Sequence, residues 1–463
     1  GLSSATTRAA DMNGSPKKSR EAEKRRKRPM NKDAVVIGAG LAGCEAALQL
    51  ADRGIKVTLA EMKPKKHSPA HKSDLFAELV CSNSLKARRI SAAGGLLKAE
   101  MAELSSVCVE TAYKCDVPAG GALAVNRDDF SKIITEKIRS NPNIEIISKE
   151  ITEIPDRPCV VATGPLTSDG FSKAISEFFG LGHLSFYDAA APIVTGQSID
   201  MESAFAASRY DRGEDDYINC PMNKEQYEAF YEQIINAEGA VLHEFDRPKV
   251  YEGCMPVEVL AKRGEDTMRF GPLKPVGLTD PRTGNRPYAV VQLRAENAEG
   301  SMYNLVGFQT NLKFGEQKRV FSLITGLENA EFIRYGVMHR NTFINSPKLL
   351  NPQFNMRDRD NLYFAGQMTG VEGYIESAAS GIFAGLSMAR RLQGKPAVTL
   401  PDTTMLGALS KYISDPTVEK FQPMGCNMGI LPELPERIRD KKLKYKMIAE
   451  RGLADLDKAI EEF

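Results

Sequence analysis

The hexamer Gly38-Ala39-Gly40-Leu41-Ala42-Gly43 limits what this chain can fold into more than any other stretch of it. It follows the short apolar run Ala34-Val35-Val36-Ile37 and opens an Ala/Leu-rich stretch with helical spacing from Leu41 to Ala51. Lys56-Val57-Thr58-Leu59-Ala60-Glu61 then reads as a second strand. Strand, helix and strand within about thirty residues form the βαβ unit of a parallel sheet. In that setting the first glycine permits a tight turn, the second lets the backbone approach a pyrophosphate, and the third lets the helix pack on the strand. The helix start supplies N–H groups and partial positive charge to phosphates. Glu61, 18 residues beyond Gly43, ends the second strand where an acid can accept hydrogen bonds from a ribose diol. Gly38, Ala39, Gly40, Leu41, Ala42, Gly43 and Glu61 are therefore candidate dinucleotide-binding residues. The expected fold class is α/β, a doubly wound Rossmann-like domain with a mixed α+β insertion domain.

That fingerprint alone does not separate flavin from nicotinamide. Cys159-Val160-Val161-Ala162-Thr163-Gly164 resembles the strand-turn of FAD-dependent two-dinucleotide-fold proteins, and Asn361-Leu362-Tyr363-Phe364-Ala365-Gly366-Gln367 resembles their late strand-turn beside the flavin. Thr163, Gly164, Gly366, Gln367, Thr369 and Gly370 join the cofactor-binding candidates, and FAD is the expected cofactor. Gly370, Gly373 and Gly381 are expected to permit close approach of a helix start to the ring or ribityl chain.

The body around this site is globular in composition, with 463 residues of which 42% are apolar and 26% charged. No stretch reaches the roughly 18 to 20 uninterrupted apolar residues that a bilayer span needs, so no membrane role is expected. Residues 1–32 hold 10 Lys/Arg against 3 Asp/Glu, so the tail carries +7 and the remainder −6. A polar, charge-dense segment of that kind cannot bury enough surface to fold alone. The expected organisation is a disordered basic tail (1–32), a flavin-binding domain in two parts (33–185 and 321–395), an insertion domain (186–320) and a C-terminal helical segment (396–463). The expected location is cytoplasmic, with a plastid or mitochondrial matrix as the alternative that the Ser/Thr-containing basic tail suggests. Eight scattered cysteines without a CxxC pair fit neither a disulfide framework nor a zinc site. Pro69 between His67 and His71 argues against a helix offering both to a metal, and no metal is expected.

Two cysteines sit in segments suited to reaction. Cys81 lies in Phe76-Ala77-Glu78-Leu79-Val80-Cys81-Ser82-Asn83-Ser84-Leu85-Lys86, with Lys86, Arg88 and Arg89 near enough in sequence to lower a thiol pKa or hold an anion. Cys254 lies in Glu252-Gly253-Cys254-Met255-Pro256-Val257-Glu258, close to Lys262 and Arg263. Taken singly, each could as well be a small buried apolar residue.

These two segments, with Asp116-Val117-Pro118-Ala119-Gly120-Gly121-Ala122-Leu123-Ala124-Val125, Phe270-Gly271-Pro272-Leu273-Lys274-Pro275-Val276-Gly277-Leu278 and Arg334-Tyr335-Gly336-Val337-Met338-His339-Arg340-Asn341-Thr342, resemble the TrmFO family of folate- and FAD-dependent tRNA (uracil-5-)-methyltransferases. That family is related to the larger flavin tRNA-modifying protein MnmG, and the likeness runs from about Ala34 to Leu431. The resemblance implies methylation of uracil C5 in the tRNA T-loop. Methylenetetrahydrofolate would be the one-carbon donor, FAD the cofactor and NADPH or NADH the reductant. It also implies that Cys81 and Cys254 share the roles of nucleophile and proton acceptor, with Cys81 taken here as the nucleophile. That division fits the chemistry: C5 of uracil becomes nucleophilic once a thiolate adds to C6, and a base must later remove the C5 proton.

Extruding a base toward a flavin calls for compensating phosphate contacts. The candidates are Lys86, Arg88, Arg89, Lys262, Arg263 and the segment Arg437 to Lys446, which holds six Lys/Arg and one Asp. A His is common in the family at the position of Asn311, where a ring could stack on the pterin; Asn keeps the hydrogen bonding and loses the ring. Alternatives within the same chemistry are a ribosomal RNA target or an MnmG-type enzyme acting on the wobble uridine. MnmG-type proteins carry a long extra C-terminal helical region, and this chain ends about 70 residues after the Gly381 helix. A flavin-binding RNA scaffold without catalysis is the alternative from another class, and it would leave both cysteines dispensable.

Overall fold

The parallel strands expected from the sequence assemble around the first one. In the computed structural model, which describes residues 33–461 except 181–183, 190, 212–214, 241–254, 297–299, 337, 419–420 and 422, Asp33–Ile37 is the central strand of a five-stranded, all-parallel sheet. Lys56–Glu61 and then Ile144–Ser148 lie on one side of it, and Cys159–Val161 and then Leu362–Phe364 on the other. The expectation for residues 1–32 and the candidate Cys254 fall outside the described residues.

Ala34 to Ile37 are buried, as suits an inner parallel strand covered by helices on its faces. The helix Leu41–Ala51, which starts directly after the strand, is buried along its whole length. Against it packs the 19-residue helix Tyr374–Leu392. Their approach depends on two glycines one turn apart. A Cβ at Gly385 would lie 2.7 Å from the carbonyl oxygen of Ala46, and one at Gly381 would overlap the carbonyl oxygen of Ala42. Small residues on both helices therefore let backbone meet backbone.

A second unit is built on an antiparallel sheet ordered Phe205–Ala206, Tyr217–Met222, Ala289–Ala295, Met302–Leu305, Ile193–Thr195 and Phe332–Arg334. Its own apolar core includes Cys220, Phe230, Val291, Leu293 and Phe308. Alternate residues of the strand Ala289–Ala295 divide between two tasks, as the period of a strand requires. Ala289, Val291 and Leu293 enter that core, whereas Gln292 and Arg294 are buried polar residues with partners elsewhere. An antiparallel ribbon of Leu184–Ala189 and Met338–Phe343 and a three-stranded sheet ordered Ser84–Ala87, Ala122–Val125 and Asp116–Val117 complete the strands.

The helix contact is testable by substitution. Gly381→Val should lower stability by about 1–3 kcal/mol, the usual cost of overpacking, and should weaken flavin binding because it displaces a helix start that borders the cavity described below. Gly121→Ala, where a Cβ meets nothing within 4 Å, should change stability by less than about 0.5 kcal/mol. Thermal melts with and without added FAD read both; equal melting temperatures for the two variants would contradict the packing account.

Candidate functional site

At the carboxyl ends of the parallel strands lies a cavity of about 340 Å³. Its position, where the chain leaves the central strand with neighbours on both sides, is where open α/β sheets bind ligands. Gly38, Ala39, Gly40, Leu41 and Ala42 form one wall. Gly38 adopts φ +96°, and a Cβ there would lie 2.5 Å from the carbonyl oxygen of Ala162, so the turn requires glycine. A Cβ at Gly40 would meet nothing within 4 Å, so the backbone is bare on that side. The helix beginning at Leu41 has neither a side-chain cap nor an acid in its first turn, which leaves its N-terminal N–H groups and dipole to an anion. Gly43 is not part of the wall. A Cβ there would overlap the carbonyl oxygen of Gly38, so this glycine serves the packing of helix on turn.

Glu61 is buried on the same wall. One carboxylate oxygen accepts from the Ala39 N–H at 2.8 Å and the other from the Lys63 N–H at 3.0 Å. Each oxygen keeps a lone pair for a ribose hydroxyl. Thr163 and Gly164 border the cavity, as do Gly366 and Gln367. Gln367 is oriented by its Nε2, which donates to both oxygens of Glu372 at 2.9 and 2.8 Å. Thr369 and Gly370 stand behind this wall: Thr369 Oγ1 donates to the Gly366 carbonyl at 2.8 Å, and Gly370 adopts φ +86° in the turn. Gly373, at φ +122°, borders the cavity at the start of the long helix, while Gly381 lies two turns further in and packs on Ala42 rather than approaching a ligand. A bare glycine turn, two helix starts and an acid with spare lone pairs fit a dinucleotide.

Cys81 lies on the wall of the same cavity, half-buried. Its peptide is gripped from both sides. The N–H groups of Cys81 and Ser82 donate to Tyr374 Oη at 2.6 and 3.2 Å. The Cys81 carbonyl accepts from Arg334 Nη2 at 3.2 Å and Arg127 Nη2 at 3.4 Å. Burial pushes the Tyr374 phenol up, so it stays protonated. Other cysteines have different surroundings. Burial raises the thiols of Cys44, Cys108, Cys159 and Cys220, which makes them inert packing groups. Cys254 lies outside the described residues, but Val257, three residues on, donates its N–H to the Gln309 carbonyl at 2.7 Å, and Gln309 borders the cavity.

The basic candidates separate. Lys86 lies on the cavity wall with its side chain still 40% exposed, and its Nζ pairs with the buried Glu376 and lies 3.7 Å from Cys426 Sγ. Arg88 is paired with Asp116 at 2.6 Å, and Arg89 is exposed in the loop preceding the helix Ala93–Glu103. Lys262 and Arg263 are exposed. In the basic C-terminal segment, Lys441, Lys442 and Lys446 lie exposed on the helix Lys441–Ile460, with Lys446 facing Glu450 at 3.6 Å. Asn311 is held by Glu258, which accepts from its N–H at 2.7 Å, and its amide donates to the Ala240 carbonyl at 3.2 Å.

Arg127, Arg294, Arg334 and Tyr374 are the residues that sequence reasoning did not assign. Their signal was weak. Arg294 shows as a charge within an otherwise strand-like apolar run, but nothing local says which loop it meets. The acid at the ribose end gives a direct test. Glu61→Ala leaves the Ala39 and Lys63 N–H groups without an acceptor, at about 1–3 kcal/mol for a buried donor, so the dissociation constant for FAD should rise at least about tenfold. Fluorescence titration of apoprotein measures it, and an unchanged constant would remove Glu61 from the site.

Comparison with known proteins follows the same line. Residues 33–396 match the family described as glucose inhibited division protein A. A protein of Acetivibrio thermocellus named methylenetetrahydrofolate-tRNA-(uracil-5-)-methyltransferase TrmFO is 60% identical over 429 residues, which are 92% of this chain and 98% of the relative. Proteins of the same name from Brevibacillus brevis and Listeria welshimeri are 57% identical over 427 residues (92% of this chain, 98% of theirs) and 55% identical over 433 residues (94% and 100%). Among solved structures, Aquifex aeolicus GidA superposes with a TM-score of 0.66 at 17% identity, over 93% of this chain and 78% of that one, a likeness of fold. The chain belongs to the glucose inhibited division protein A family and, within it, to the group that carries the TrmFO name.

Proposed function

We propose that this protein is a methylenetetrahydrofolate- and FAD-dependent tRNA (uracil-5-)-methyltransferase that forms 5-methyluridine in the T-loop, with NADPH or NADH as reductant. The observation that carries this reading is the placement of Cys81 on the wall of the cavity formed by the glycine turn, Glu61 and the two helix starts. The names of relatives that are 55 to 60% identical over nearly the full chain support the substrate and the one-carbon donor. When bound, FAD supplies the reducing electrons that convert the transferred one-carbon unit to a methyl group. Gly38 to Ala42 and the N–H groups that follow would hold its pyrophosphate and Glu61 its ribose, with the turn from Gly366 to Gln367 and the helix start at Gly373 on the same cavity wall.

The protein's own part is to bring the uracil to a thiolate and to manage protons. Attack of the Cys81 sulfur on C6 breaks the C5–C6 double bond and places the electron pair on the enolate. C5 of that enolate is the atom that bonds the incoming carbon. A second group removes the proton from C5, after which the C6–S bond breaks and the ring recovers its double bond. We assign the proton removal to Cys254. Lys262, Arg263 and the exposed lysines of the helix Lys441–Ile460 are our candidates to meet RNA phosphates, and binding should weaken with salt as counterion release requires. Among the described residues no helix is long and apolar enough to cross a membrane, and we place the reaction in the cytoplasm.

A T-loop RNA carrying 5-fluorouridine tests the scheme, because fluorine at C5 blocks proton removal and traps the adduct. With methylenetetrahydrofolate and NADPH, the protein should form a covalent RNA adduct that disappears in Cys81→Ala and persists in Cys254→Ala, while both variants lose methylation of ordinary tRNA by at least about a hundredfold. No adduct together with no 5-methyluridine from the unaltered protein would overturn the proposal.

A further inference from the structure

The loop that carries Cys81 is enclosed by more positive charge than its packing requires. Arg294 reaches it from the antiparallel unit, with Nε donating to Asn83 Oδ1 at 2.9 Å and Nη2 to Ser82 Oγ at 2.7 Å. Arg334, from that unit's edge strand, donates Nη1 to the Val80 carbonyl at 3.1 Å and Nη2 to the Cys81 carbonyl at 3.2 Å. Arg127, at the start of the helix Arg127–Ser140, donates Nη1 to the Leu79 carbonyl at 2.7 Å. Its charge is met by Glu296, whose two oxygens accept from Nε and Nη2 at 2.5 and 3.0 Å. Glu296 pairs directly with Arg127 and its charge also acts on Arg294 and Arg334, whose own hydrogen-bond acceptors are neutral oxygens, so one carboxylate answers three guanidinium groups.

The other titratable groups nearby do not correct the imbalance. Tyr374 and Tyr217 face the guanidinium groups as phenols, and burial raises both, so neither supplies a negative charge near neutral pH. On the cavity wall, Lys86 is paired with Glu376 and Lys63 with Glu78. Arg294 and Arg334 are both largely enclosed, and burial works against their charge. A guanidinium remains protonated in such a place, and an anion nearby offsets the cost. Cys81 is the ionisable residue of the loop they grip, its carbonyl held by Arg127 and Arg334 and its neighbours Ser82 and Asn83 by Arg294, and a negative charge on its sulfur would be attracted by all three guanidinium groups.

We propose that Arg294 and Arg334 are positioning residues that hold Cys81 as a thiolate and fix its loop against the cavity. The inference deepens the reading of Cys81 as a reacting cysteine and rests on it. It does not depend on which of the two roles Cys81 takes, because a nucleophile and a proton acceptor both need the unprotonated sulfur. Neutral donors would satisfy the same carbonyl and amide oxygens, as Asn83 does through its own amide with the Val125 and Ala295 carbonyls at 3.2 and 2.9 Å. Arginine at both positions is accounted for by charge.

The test is the pH profile of iodoacetamide alkylation at Cys81 in the full-length, flavin-loaded protein, with the Cys81 peptide quantified by mass spectrometry. Arg294→Met and Arg334→Met should each move the midpoint up by about one pH unit, making alkylation well below the midpoint about tenfold slower. Arg294→Lys keeps the charge and should stay close to the unaltered protein. In methyl transfer, kcat should fall in the two Met variants with KM for tRNA unchanged. Bound-flavin absorbance and melting temperature confirm folding, and Arg334→Met carries the test where Arg294→Met does not fold. Superimposable profiles, or Arg294→Lys shifted as far as Arg294→Met, would overturn the inference. Full methylation by Cys81→Ala would instead overturn the cysteine assignment above, independently of the alkylation result.

Discussion

The backbone contact between the helices Leu41–Ala51 and Tyr374–Leu392 governs the geometry of the site. Two helix starts can border one cavity only if the helices behind them run close together, and ordinary side chains hold helix axes 8–10 Å apart. Gly381 and Gly385 remove that spacing, so the helix backbone rests on the carbonyls of Ala42 and Ala46. The glycine turn at Gly38 to Gly40 and the helix start at Gly373 then face the same space from two directions. Residues more than 300 positions apart in sequence become walls of one pocket, and any widening of the helix pair would separate them.

The second constraint is polar and joins the two units. The segment Leu79 to Asn83 belongs to the parallel-sheet unit, yet its carbonyls and side chains are bound by Arg294 and Arg334 from the antiparallel unit. Apolar packing would tolerate sliding, whereas hydrogen bonds from a planar guanidinium fix direction as well as distance. Buried charges are costly and contribute little net stability when they replace apolar contacts. Their presence here is therefore better explained by what they do to Cys81 than by what they add to folding. Tyr374 closes the arrangement from the other side by accepting two N–H groups of the same loop, and it stands at the first position of the helix that the glycine contact positions. The cysteine loop is thus referenced to both the flavin-side helix and the second unit.

What could be read in advance divides along the same line. The strand, glycine turn, helix and Glu61 were legible because their geometry depends on residues within one βαβ unit, where a positive φ or a close approach admits only glycine. The FAD-like turns at Thr163 to Gly164 and Gly366 to Gln367 were legible for the same reason. Thr369, Gly370 and Gly43 belong to these turns but support them from behind, a distinction that depends on which way the wall faces. Lys86 was read as a cation for an anion or an RNA phosphate; its partner Glu376 lies 290 residues away, and no local pattern announces the pair. Arg127, Arg294 and Arg334 escaped for the same cause, since their target is a loop that only the assembled fold brings to them.

The cysteines show how that assembly selects a reactive group from chemically equal candidates. Burial without a counter-charge can raise a thiol by up to about 3–5 pH units, while one nearby opposite charge lowers an acid by about 1–3. At Cys44, Cys108, Cys159 and Cys220 burial prevails, and the sulfur is packing material. Cys426 is the instructive intermediate. Lys86 Nζ lies 3.7 Å from its sulfur, yet burial and the neighbouring Glu376 carboxylate still push the thiol up. A single lysine already paired with a carboxylate does not overcome desolvation. Cys81 has other surroundings: the residue opens onto the cavity, three guanidinium groups surround its loop, and one carboxylate answers them. The sum of charge and exposure, rather than the presence of a basic neighbour in sequence, is what supports the proposal that this sulfur reacts.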